Sequence, residues 1–514
     1  MQSTHQDFLK FIGISDPKTI SNLDKPKDST KDSSTFDFNF SPVPVSTSDD
    51  LLLPEGFEYN VLKSWKDEIA PGVQFGFNND FTDFFSLNEK QALLWVNHEY
   101  VDPRYIPNIK DQEQSVGGSI FVIEKISESW KCSDNKALIA KYSRRYDATS
   151  PMLITGPVKE KYPEVKGTLA NCSGGKSLWG TVFTCEENYQ DFIERYHWQD
   201  LNLEYYGWVV EIDPSDPNFK ARKHSALGRF AHENATIALA ASGQIVVYMG
   251  DDFENEHIYK FISKNKFSAS ASKEENSALL SEGTLYVAKL DSSTKGSWLE
   301  LSIENPELKD HFADQADLLI NTRNAAKLLG ASTFARPEDL EVNPQDGSIF
   351  VALTQNLSQN NYHGSIMKIQ ENNYTDLEFN YEEFVMGGAG VGLSCPDNLI
   401  FDDKGNLWVT TDIKGQYLNK EPYAYQGNNS LFVIPVQGEN AGKAKRFMSA
   451  PPGAELTGTS FSDDFKTLFI SVQHPGEDDA ISLWPHDPKY NYPRPSVIAV
   501  SLKGVVLQQA TSFT

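Results

Sequence analysis

The 514-residue chain has few cysteines and no long apolar run, and each shortage excludes a class of protein. The four cysteines are too few and too scattered for a disulfide framework, and none forms a CxxC zinc signature. No stretch reaches the roughly 18 apolar residues of a membrane-spanning helix. The chain also has no P-loop, no H-E-x-x-H zinc helix and no G-x-S-x-G elbow. We therefore expect no membrane span and none of these hydrolase or nucleotide-binding sites.

Positive charge is also in short supply. There are 46 Lys and Arg against 71 Asp and Glu, which gives a formal net charge of −25. This balance argues against nucleic acid or an anionic membrane as a partner. The excess of carboxylates serves solubility in one interpretation and supplies cation ligands in the other, and the two are compatible.

The N-terminal part of the chain has a different composition from the rest. Residues 14–50 are rich in Ser, Asp, Lys, Thr and Pro, so we expect residues 1–50 to form a disordered segment or linker. Residues 3–10 resemble a twin-arginine export motif in which His5 and Gln6 replace the arginine pair. No apolar region of the required length follows, so no intact export signal is predicted.

Short apolar runs that end abruptly in polar side chains recur six times along the chain. Their polar ends are Asn97-His98-Glu99, Cys185-Glu186-Glu187, Asp251-Asp252, Thr354-Gln355-Asn356, Thr411-Asp412 and Gln473-His474. A second β-rich run follows each polar end, and paired strands with variable insertions are typical of a β-propeller. The pattern predicts an all-β fold, a six-bladed β-propeller, as one domain over residues 51–514. We expect the segment Gly56–Leu62 to add a strand to the last blade.

Cys185 lies at one of these strand ends and is followed by two glutamates. In an extended strand Cys185 and Glu187 point to one side and Glu186 to the other. A thiolate with several carboxylates suits a transition metal together with harder cations such as calcium. The alternative is that Cys185 is a small buried apolar residue.

Other polar groups at strand ends also have two interpretations. Glu233 is either a ligand or part of a turn, and the acidic run Asp251–Glu256 is either a calcium site or a solvated loop. Arg336, next to Glu338, forms either a structural ion pair or a fork that clamps an oxyanion such as phosphate. Asp397 begins a further strand, where Pro396 forces extended backbone.

Several motifs in fixed order resemble the PhoX family of alkaline phosphatases, from about residue 50 to the C-terminus. They are Asn97-His98-Glu99-Tyr100, Gly167-Thr168, Asn171-Cys172-Ser173-Gly174-Gly175, Trp179-Gly180-Thr181, Cys185-Glu186-Glu187-Asn188, Arg336-Pro337-Glu338-Asp339 and Cys395-Pro396-Asp397-Asn398-Leu399. The resemblance implies a six-bladed propeller with a mixed iron–calcium cluster on its axis, hydrolysis of phosphate monoesters, and export.

Roles follow from the resemblance residue by residue. It implies that Cys185 ligates iron, that Arg336 binds phosphate and is catalytic, and that Asn97 also contacts phosphate. The further metal ligands, assigned partly from their position at strand ends, are Glu99, Glu186, Glu233, Glu256, Glu338, Asp397 and Glu455.

We therefore predict a metal-dependent phosphomonoesterase that uses iron and calcium, acts on small phosphate esters and is a monomer. The alternatives are a calcium-dependent, lactonase-like propeller hydrolase and a non-catalytic calcium-binding propeller scaffold. The resemblance implies a periplasmic or extracellular location, and a cytoplasmic one is the alternative.

Overall fold

The computed structural model describes residues 40–199 and 201–503, and antiparallel strands dominate them. The predicted all-β class is confirmed. Residues 1–39 of the predicted disordered segment lie outside the described part. In the described part, no helix has the length and apolar character needed to cross a membrane.

The strands are numbered here in chain order. Those of the first half are β1 (Phe57–Ser64), β2 (Glu68–Ala70), β3 (Val73–Gln74), β4 (Asn79–Asn88), β5 (Gln91–His98), β6 (Gly117–Ile126), β7 (Ser129–Cys132), β8 (Arg144–Tyr146), β9 (Pro151–Thr155), β10 (Glu164–Lys166), β11 (Asn171–Lys176), β12 (Val182–Glu186), β13 (Val209–Ile212), β14 (Arg222–His224), β15 (Thr236–Leu239) and β16 (Gln244–Gly250). Those of the second half are β17 (Glu254–Glu256), β18 (Ile258–Lys266), β19 (Gly283–Leu290), β20 (Lys295–Glu300), β21 (Phe334–Ala335), β22 (Pro337–Val342), β23 (Ile349–Leu353), β24 (Ser365–Gln370), β25 (Glu378–Met386), β26 (Pro396–Phe401), β27 (Asn406–Thr411), β28 (Ser430–Pro435), β29 (Lys445–Ser449), β30 (Glu455–Phe461), β31 (Thr467–Gln473) and β32 (Ser496–Leu502).

The helices are short and lie in the connections between strands. They are α1 (Ile109–Ser115), α2 (Lys136–Tyr142), α3 (Asp191–Glu194), α4 (Lys273–Ser277), α5 (Gln315–Ile320) and α6 (Thr322–Leu328).

The strands form five larger sheets and two small two-stranded sheets, β2–β3 and β17–β21. The larger sheets are β4-β5-β6-β7 with β8 on β6, β10-β9-β14-β13-β12-β11, β15-β16-β18-β19-β20-β25-β24-β23-β22, β26-β27-β28-β29, and β1-β32-β31-β30. Strands such as β5 and β31 are buried almost throughout, because apolar clusters lie between neighbouring sheets. In β5 the run Ala92–Val96 is accordingly apolar throughout and shows no alternation.

Six inner strands contact one another in a closed cycle. Their order is β4, β11, β15, β22, β26, β30 and back to β4. Two of them, β15 and β22, are the two edge strands of the same nine-stranded sheet. In that sheet the pairing of β20 with β25 joins the strands on the β15 side to those on the β22 side. The closed cycle is what a propeller requires, and the division of that sheet into two blades, and so the count of six, stays a prediction.

The first strand closes the ring as predicted. β1 pairs antiparallel with β32, from Phe57 opposite Leu502 to Ser64 opposite Ser496. The last sheet therefore combines the N-terminal and C-terminal ends of the described chain, and the predicted closing segment lies within this pairing.

Residues 40–50 pack against the sheet, which differs from the prediction that this part of the segment is disordered. The Phe40 ring packs edge-on against Phe447, with centroids 5.2 Å apart, and the Val43 N–H donates to the Arg446 carbonyl at 3.0 Å. Both partners belong to β29. Two apolar anchors within a polar stretch thus hold residues 40–50 against the sheet, although the composition there indicates a linker.

Candidate metal centre

At one end of the ring, a repeated backbone arrangement brings polar side chains together. Five inner strands are preceded by a left-handed residue that lies two positions before the first axial side chain. These residues are Asn78 (φ 41°), Ala170 (φ 56°), Arg336 (φ 52°), Cys395 (φ 51°) and Gly453 (φ 71°). Left-handed backbone costs of order 1–3 kcal/mol for a non-glycine residue, so the surrounding structure must enforce it.

Backbone hydrogen bonds tie the partner strand to the same point. The Glu99 N–H donates to the Asn78 carbonyl at 3.0 Å, and the Glu187 N–H to the Ala170 carbonyl at 2.9 Å. Likewise, the Asp412 N–H donates to Cys395 at 3.0 Å. Each hairpin thereby presents one side chain from the start of its inner strand and another from the end of its partner.

Nine carboxylates converge at this end of the ring: Asp80, Glu99, Glu187, Glu233, Asp252, Glu338, Asp397, Asp412 and Glu455. Three groups have ligand atoms within 4.8 Å of one another: Asp80 with Glu99 and Cys172, Cys172 with Glu187 and Glu233, and Glu233 with Glu338 and Asp397. Because Cys172 and Glu233 each belong to two groups, the three groups form one continuous site.

The carboxylates of this site are poorly compensated by the chain. Burial is the largest cause that raises the pKa of Glu233 and the pKa of Glu455 well above the usual range of a glutamate, and the charges of neighbouring carboxylates add to it. Burial raises the pKa of Asp80 to about 6 and that of Asp397 to about 7. Glu233 Oε2 is buried and has no hydrogen-bond partner among the described residues. A buried carboxylate oxygen without a donor indicates that a cation completes the site.

Cys172 supplies a thiol to the same site. Its Sγ donates to Asp80 Oδ2 at 3.5 Å. Burial, and then the negative charges of Asp80 and Glu233, raise the pKa of this thiol well above its usual range. A bound cation would reverse this preference, because coordination deprotonates a thiol. Carboxylate oxygens with one thiolate fit a set of hard cations and a softer one.

Arg336 lies within the cluster. Its Nε and Nη2 donate to the two oxygens of Asp252 at 2.8 and 2.7 Å. Nη2 also lies 2.9 Å from Glu338 Oε1, and Nη1 lies 3.5 Å from Asp412 Oδ2. Although burial alone would raise the pKa of Asp252, Arg336 holds it below its usual range.

Of the predicted site residues, the structure brings together Arg336, Glu99, Glu233, Glu338, Asp397 and Glu455. The Glu455 carboxyl lies beside Asp397, to which it is hydrogen-bonded. The Gln473 amide donates to Glu99 at 2.7 Å and to Asp80 at 3.1 Å, which orients both carboxylates.

The prediction that Cys185 ligates iron is wrong for this structure. Its side chain is fully buried in an apolar cluster with Leu227 and Phe230, outside the three groups above. The expected alternation of side chains stops because β12 ends at Glu186 and the chain turns there. Glu187 then reaches the axis, while Cys185 stays in the core.

Glu186 is also not part of the centre. It forms a buried ion pair with Lys223 Nζ at 2.6 Å and accepts from Thr168 Oγ1 at 2.8 Å. Its second oxygen accepts from the backbone N–H groups of Gly207 and Trp208. The chain thus compensates this carboxylate completely.

Glu256 and Asn97 need correction for similar reasons. Glu256 pairs with Lys327 of α6 at 2.6 Å, outside the three groups. The Asn97 amide donates to the carbonyls of Cys172 and Ser173 at 2.6 and 3.0 Å, and its oxygen accepts from Trp95 Nε1. Asn97 is therefore placed to hold the Cys172 segment, with its polar atoms engaged by the protein.

The sequence analysis missed several members of the centre. Glu187 and Asp412 stood within the predicted polar ends but were not assigned as ligands, and Asp252 was considered only as part of the acidic run Asp251–Glu256. Cys172 stood within a quoted motif, and Asp80 was not singled out. A signal for both exists, because Asn78-Asn79-Asp80 and Ala170-Asn171-Cys172 share an asparagine directly before the ligand at the start of an inner strand.

The fold and this site together define a metal-dependent enzyme built on a propeller-type ring of hairpins. A family model described as alkaline phosphatase PhoX matches residues 38–476. The chain belongs to this family and is a hydrolase, a phosphatase that acts on phosphate esters. A search among curated proteins finds no match to the chain.

Solved structures agree with this assignment. Pseudomonas fluorescens PhoX in complex with vanadate, a transition state analogue, is 31% identical at a TM-score of 0.82, covering 90% of this chain and 98% of that chain. Two others align weakly. A Dyadobacter fermentans protein of unknown function has TM-score 0.43 at 7% identity (87% and 100% covered), and the gluconolactonase XC5397 of Xanthomonas campestris has TM-score 0.36 at 10% (90% and 98%). Neither bears on function at these scores.

Proposed function

We propose that the chain is an iron- and calcium-dependent phosphomonoesterase that releases inorganic phosphate at the axial centre. The observation that carries the proposal is the convergence of nine carboxylates and the Cys172 thiol. The Arg336 guanidinium lies among them and contacts Asp252, Glu338 and Asp412. The complex of the Pseudomonas relative with vanadate, a transition state analogue, supports phosphoryl chemistry for this chain.

The ligands divide by chemistry. Cys172, with Glu187 and Glu233, would hold the softer cation, for which we propose iron. The all-carboxylate group of Glu233, Glu338 and Asp397 would hold calcium, and the oxygens of Asp80 and Glu99, whose group shares Cys172 with the first, would hold a further calcium. When bound, the cations supply Lewis acidity and neutralise charge on the phosphoryl oxygens. These assignments replace Cys185 as the thiolate ligand.

Arg336 orients and binds the phosphoryl group in this proposal. Asp252 fixes the plane of the guanidinium by contacting Nε and Nη2, while among the described residues the polar contact of Nη1 is the 3.5 Å one with Asp412. The Nη1 edge can therefore donate to a phosphoryl oxygen as negative charge builds up there. Such a donor, fixed before the reaction, lowers the barrier because no reorganisation is needed.

The test compares turnover of p-nitrophenyl phosphate with elemental analysis of the purified protein. We expect bound iron and calcium and measurable turnover. Arg336→Ala at matched metal content should lose about 10²–10³-fold in rate, or roughly 3–4 kcal/mol, and Arg336→Lys should recover part of it. Arg104→Ala, at a surface pair with Asp102, is the control. Full activity of Arg336→Ala would reject its role, and calcium without iron or turnover would favour a lactonase-like enzyme or a scaffold.

The remaining expectations accompany this function. We propose small phosphate esters as substrates, a monomeric state, and a periplasmic or extracellular location, which the family membership supports. The net charge of −25 supports the absence of nucleic acid among the partners. Light scattering of the purified protein tests the oligomeric state.

A further inference from the structure

The hairpin that carries Arg336 differs from its neighbours. In three other hairpins, the residue that donates its backbone N–H to the left-handed residue is a carboxylate residue: Glu99, Glu187 or Asp412. In the Arg336 hairpin this donor is Thr354, whose N–H donates to the Arg336 carbonyl at 3.2 Å. The Thr354 hydroxyl contacts Glu338 Oε1 at 2.9 Å. A hydroxyl thus occupies the position at which those hairpins place a carboxylate, and the next residue is the buried Gln355.

The Gln355 side chain is fixed at its carbonyl end. Its Oε1 lies 3.0 Å from the Tyr423 hydroxyl and 3.8 Å from Cys395 Sγ. The same two groups approach the Tyr362 carbonyl, at 2.7 and 3.5 Å. Two donors, O–H and S–H, thus face two acceptors, so each proton has an acceptor and each oxygen has a donor. The arrangement holds the Gln355 oxygen in place, and the amide nitrogen is therefore directed away from Tyr423 and Cys395.

That amide nitrogen has no hydrogen-bond partner in residues 40–199 and 201–503, and it is not among their fully enclosed unpartnered atoms. Both N–H groups are therefore free to meet a ligand. The same hairpin carries the Arg336 guanidinium, and the two consecutive residues after its second strand, Thr354 and Gln355, are neutral. A phosphoryl group carries negative charge, so a guanidinium and a neutral amide attract it, whereas a carboxylate at the same position would repel it.

We propose that Gln355 donates an amide hydrogen bond to a phosphoryl oxygen beside Arg336, with Tyr423 and Cys395 as its positioning residues. The proposal rests on the proposed phosphatase function. It assigns the recognition of the phosphoryl group to one hairpin, β22–β23, which supplies a charged donor and a neutral donor from consecutive strands. The other hairpins then supply mainly anionic ligands for cations.

Three variants test the donor. Gln355→Met keeps the length of the side chain and removes the N–H groups, so kcat/KM for p-nitrophenyl phosphate should fall about 10²-fold and the Ki of inorganic phosphate should rise. In Gln355→Glu, kcat/KM should fall further because the new carboxylate repels the phosphoryl group, while the metal content should not change. Gln359→Met, in the following exposed turn, is the control and should match the native enzyme. Native kinetics in Gln355→Glu would overturn the proposal, because a metal-ligand role tolerates a carboxylate. Absence of turnover in the native enzyme would instead reject the phosphatase function itself.

The positioning role needs a second readout. Tyr423→Phe should weaken inhibition by inorganic phosphate several-fold at unchanged metal content. In a Gln355→Met background the same change should have almost no further effect on that Ki, because the donor it orients is already absent. Equal effects of Tyr423→Phe in both backgrounds would show that it acts independently of Gln355, and would overturn the positioning role.

Discussion

Glu186 and Glu187 are consecutive and both are buried, yet their surroundings are opposite. Glu186 contacts Lys223, Thr168 and two backbone N–H groups. Glu187 faces Asp252, Glu99 and Glu338, and burial with these charges raises its pKa well above its usual range. The chain neutralises the first carboxylate itself and leaves the second to be neutralised by cations from solution.

The contrast extends to the rest of the molecule. Away from the centre, Glu371 pairs with Lys260 at 2.8 Å and Glu211 with His224 at 2.9 Å. These carboxylates connect strands and have partners supplied by the chain. A buried carboxylate is therefore not by itself a sign of function, and what distinguishes the centre is that its neighbours are other carboxylates.

Removing the metals should produce the largest effect. With cations chelated, the axial carboxylates lose their compensation, so we expect loss of activity and a clear fall in Tm. A ligand at a thousandfold excess over its Kd stabilises by about 4 kcal/mol per site. Calorimetry and p-nitrophenyl phosphate assays before chelation, after it, and after iron and calcium are restored measure this. An unchanged Tm would mean that the centre does not depend on cations.

Substituting each of the two consecutive glutamates sharpens the contrast. Glu186→Gln leaves Lys223 buried without its anion, which should cost about 3–5 kcal/mol of folding free energy with metals retained. Glu187→Gln should instead lower the metal content and, in the metal-free protein, raise Tm by removing a repelling charge. Denaturation of both variants with and without metals gives the comparison, and similar behaviour of the two would abolish the distinction.

The two cysteines provide a parallel pair with a smaller effect on stability. Cys172→Ser should remove the visible absorbance of an iron–thiolate bond and most activity. Cys185→Ser buries a hydroxyl in an apolar cluster, which should cost about 1–3 kcal/mol while leaving the spectrum intact. Absorbance spectra and thermal melts distinguish them, and loss of the absorbance in Cys185→Ser alone would return the ligand role to that residue.

Glu341 offers an intermediate case with the smallest expected effect. It accepts from Thr236 Oγ1 at 3.1 Å, and burial raises its pKa to about 8. A carboxyl whose folded pKa is raised binds its proton more tightly in the folded state, so stability falls as pH rises from about 4.5 to 8. Because the residue is partly exposed, we expect Glu341→Gln to raise Tm only slightly at pH 8 and not at pH 4. Equal shifts at both pH values would contradict this assignment.

The sequence predicted what depends on strand patterning and motif order. The axial position of Glu233, Glu338 and Asp397 was implied by the resemblance to the PhoX family and its motifs. The all-β class and the closing strand over Gly56–Leu62 followed from recurring apolar runs bounded by polar residues. These features are local, because the apolar run and the residue that ends it lie within a few positions of each other.

The errors concern what happens where a strand ends. Alternation predicted that Cys185 and Glu187 share a side, and the turn after Glu186 breaks that relation. Glu256 was predicted as a ligand partly from its position at a strand end. Its partner in the structure is Lys327, seventy-one residues later, and no nearby feature of the sequence indicates this pair. Choosing between ligand and ion pair requires knowledge of distant contacts, which periodicity does not carry.

The pairing of β1 with β32 also determines at what stage of synthesis the metal centre can be completed. Asp80 comes early in synthesis and Glu455 late, and their strands β4 and β30 are neighbours only in the closed ring. During translation the early hairpins can form while the last sheet still lacks its strands. A nascent chain therefore has only part of its cation-binding groups in place, and complete metal loading must follow ring closure, after β32 has been synthesised.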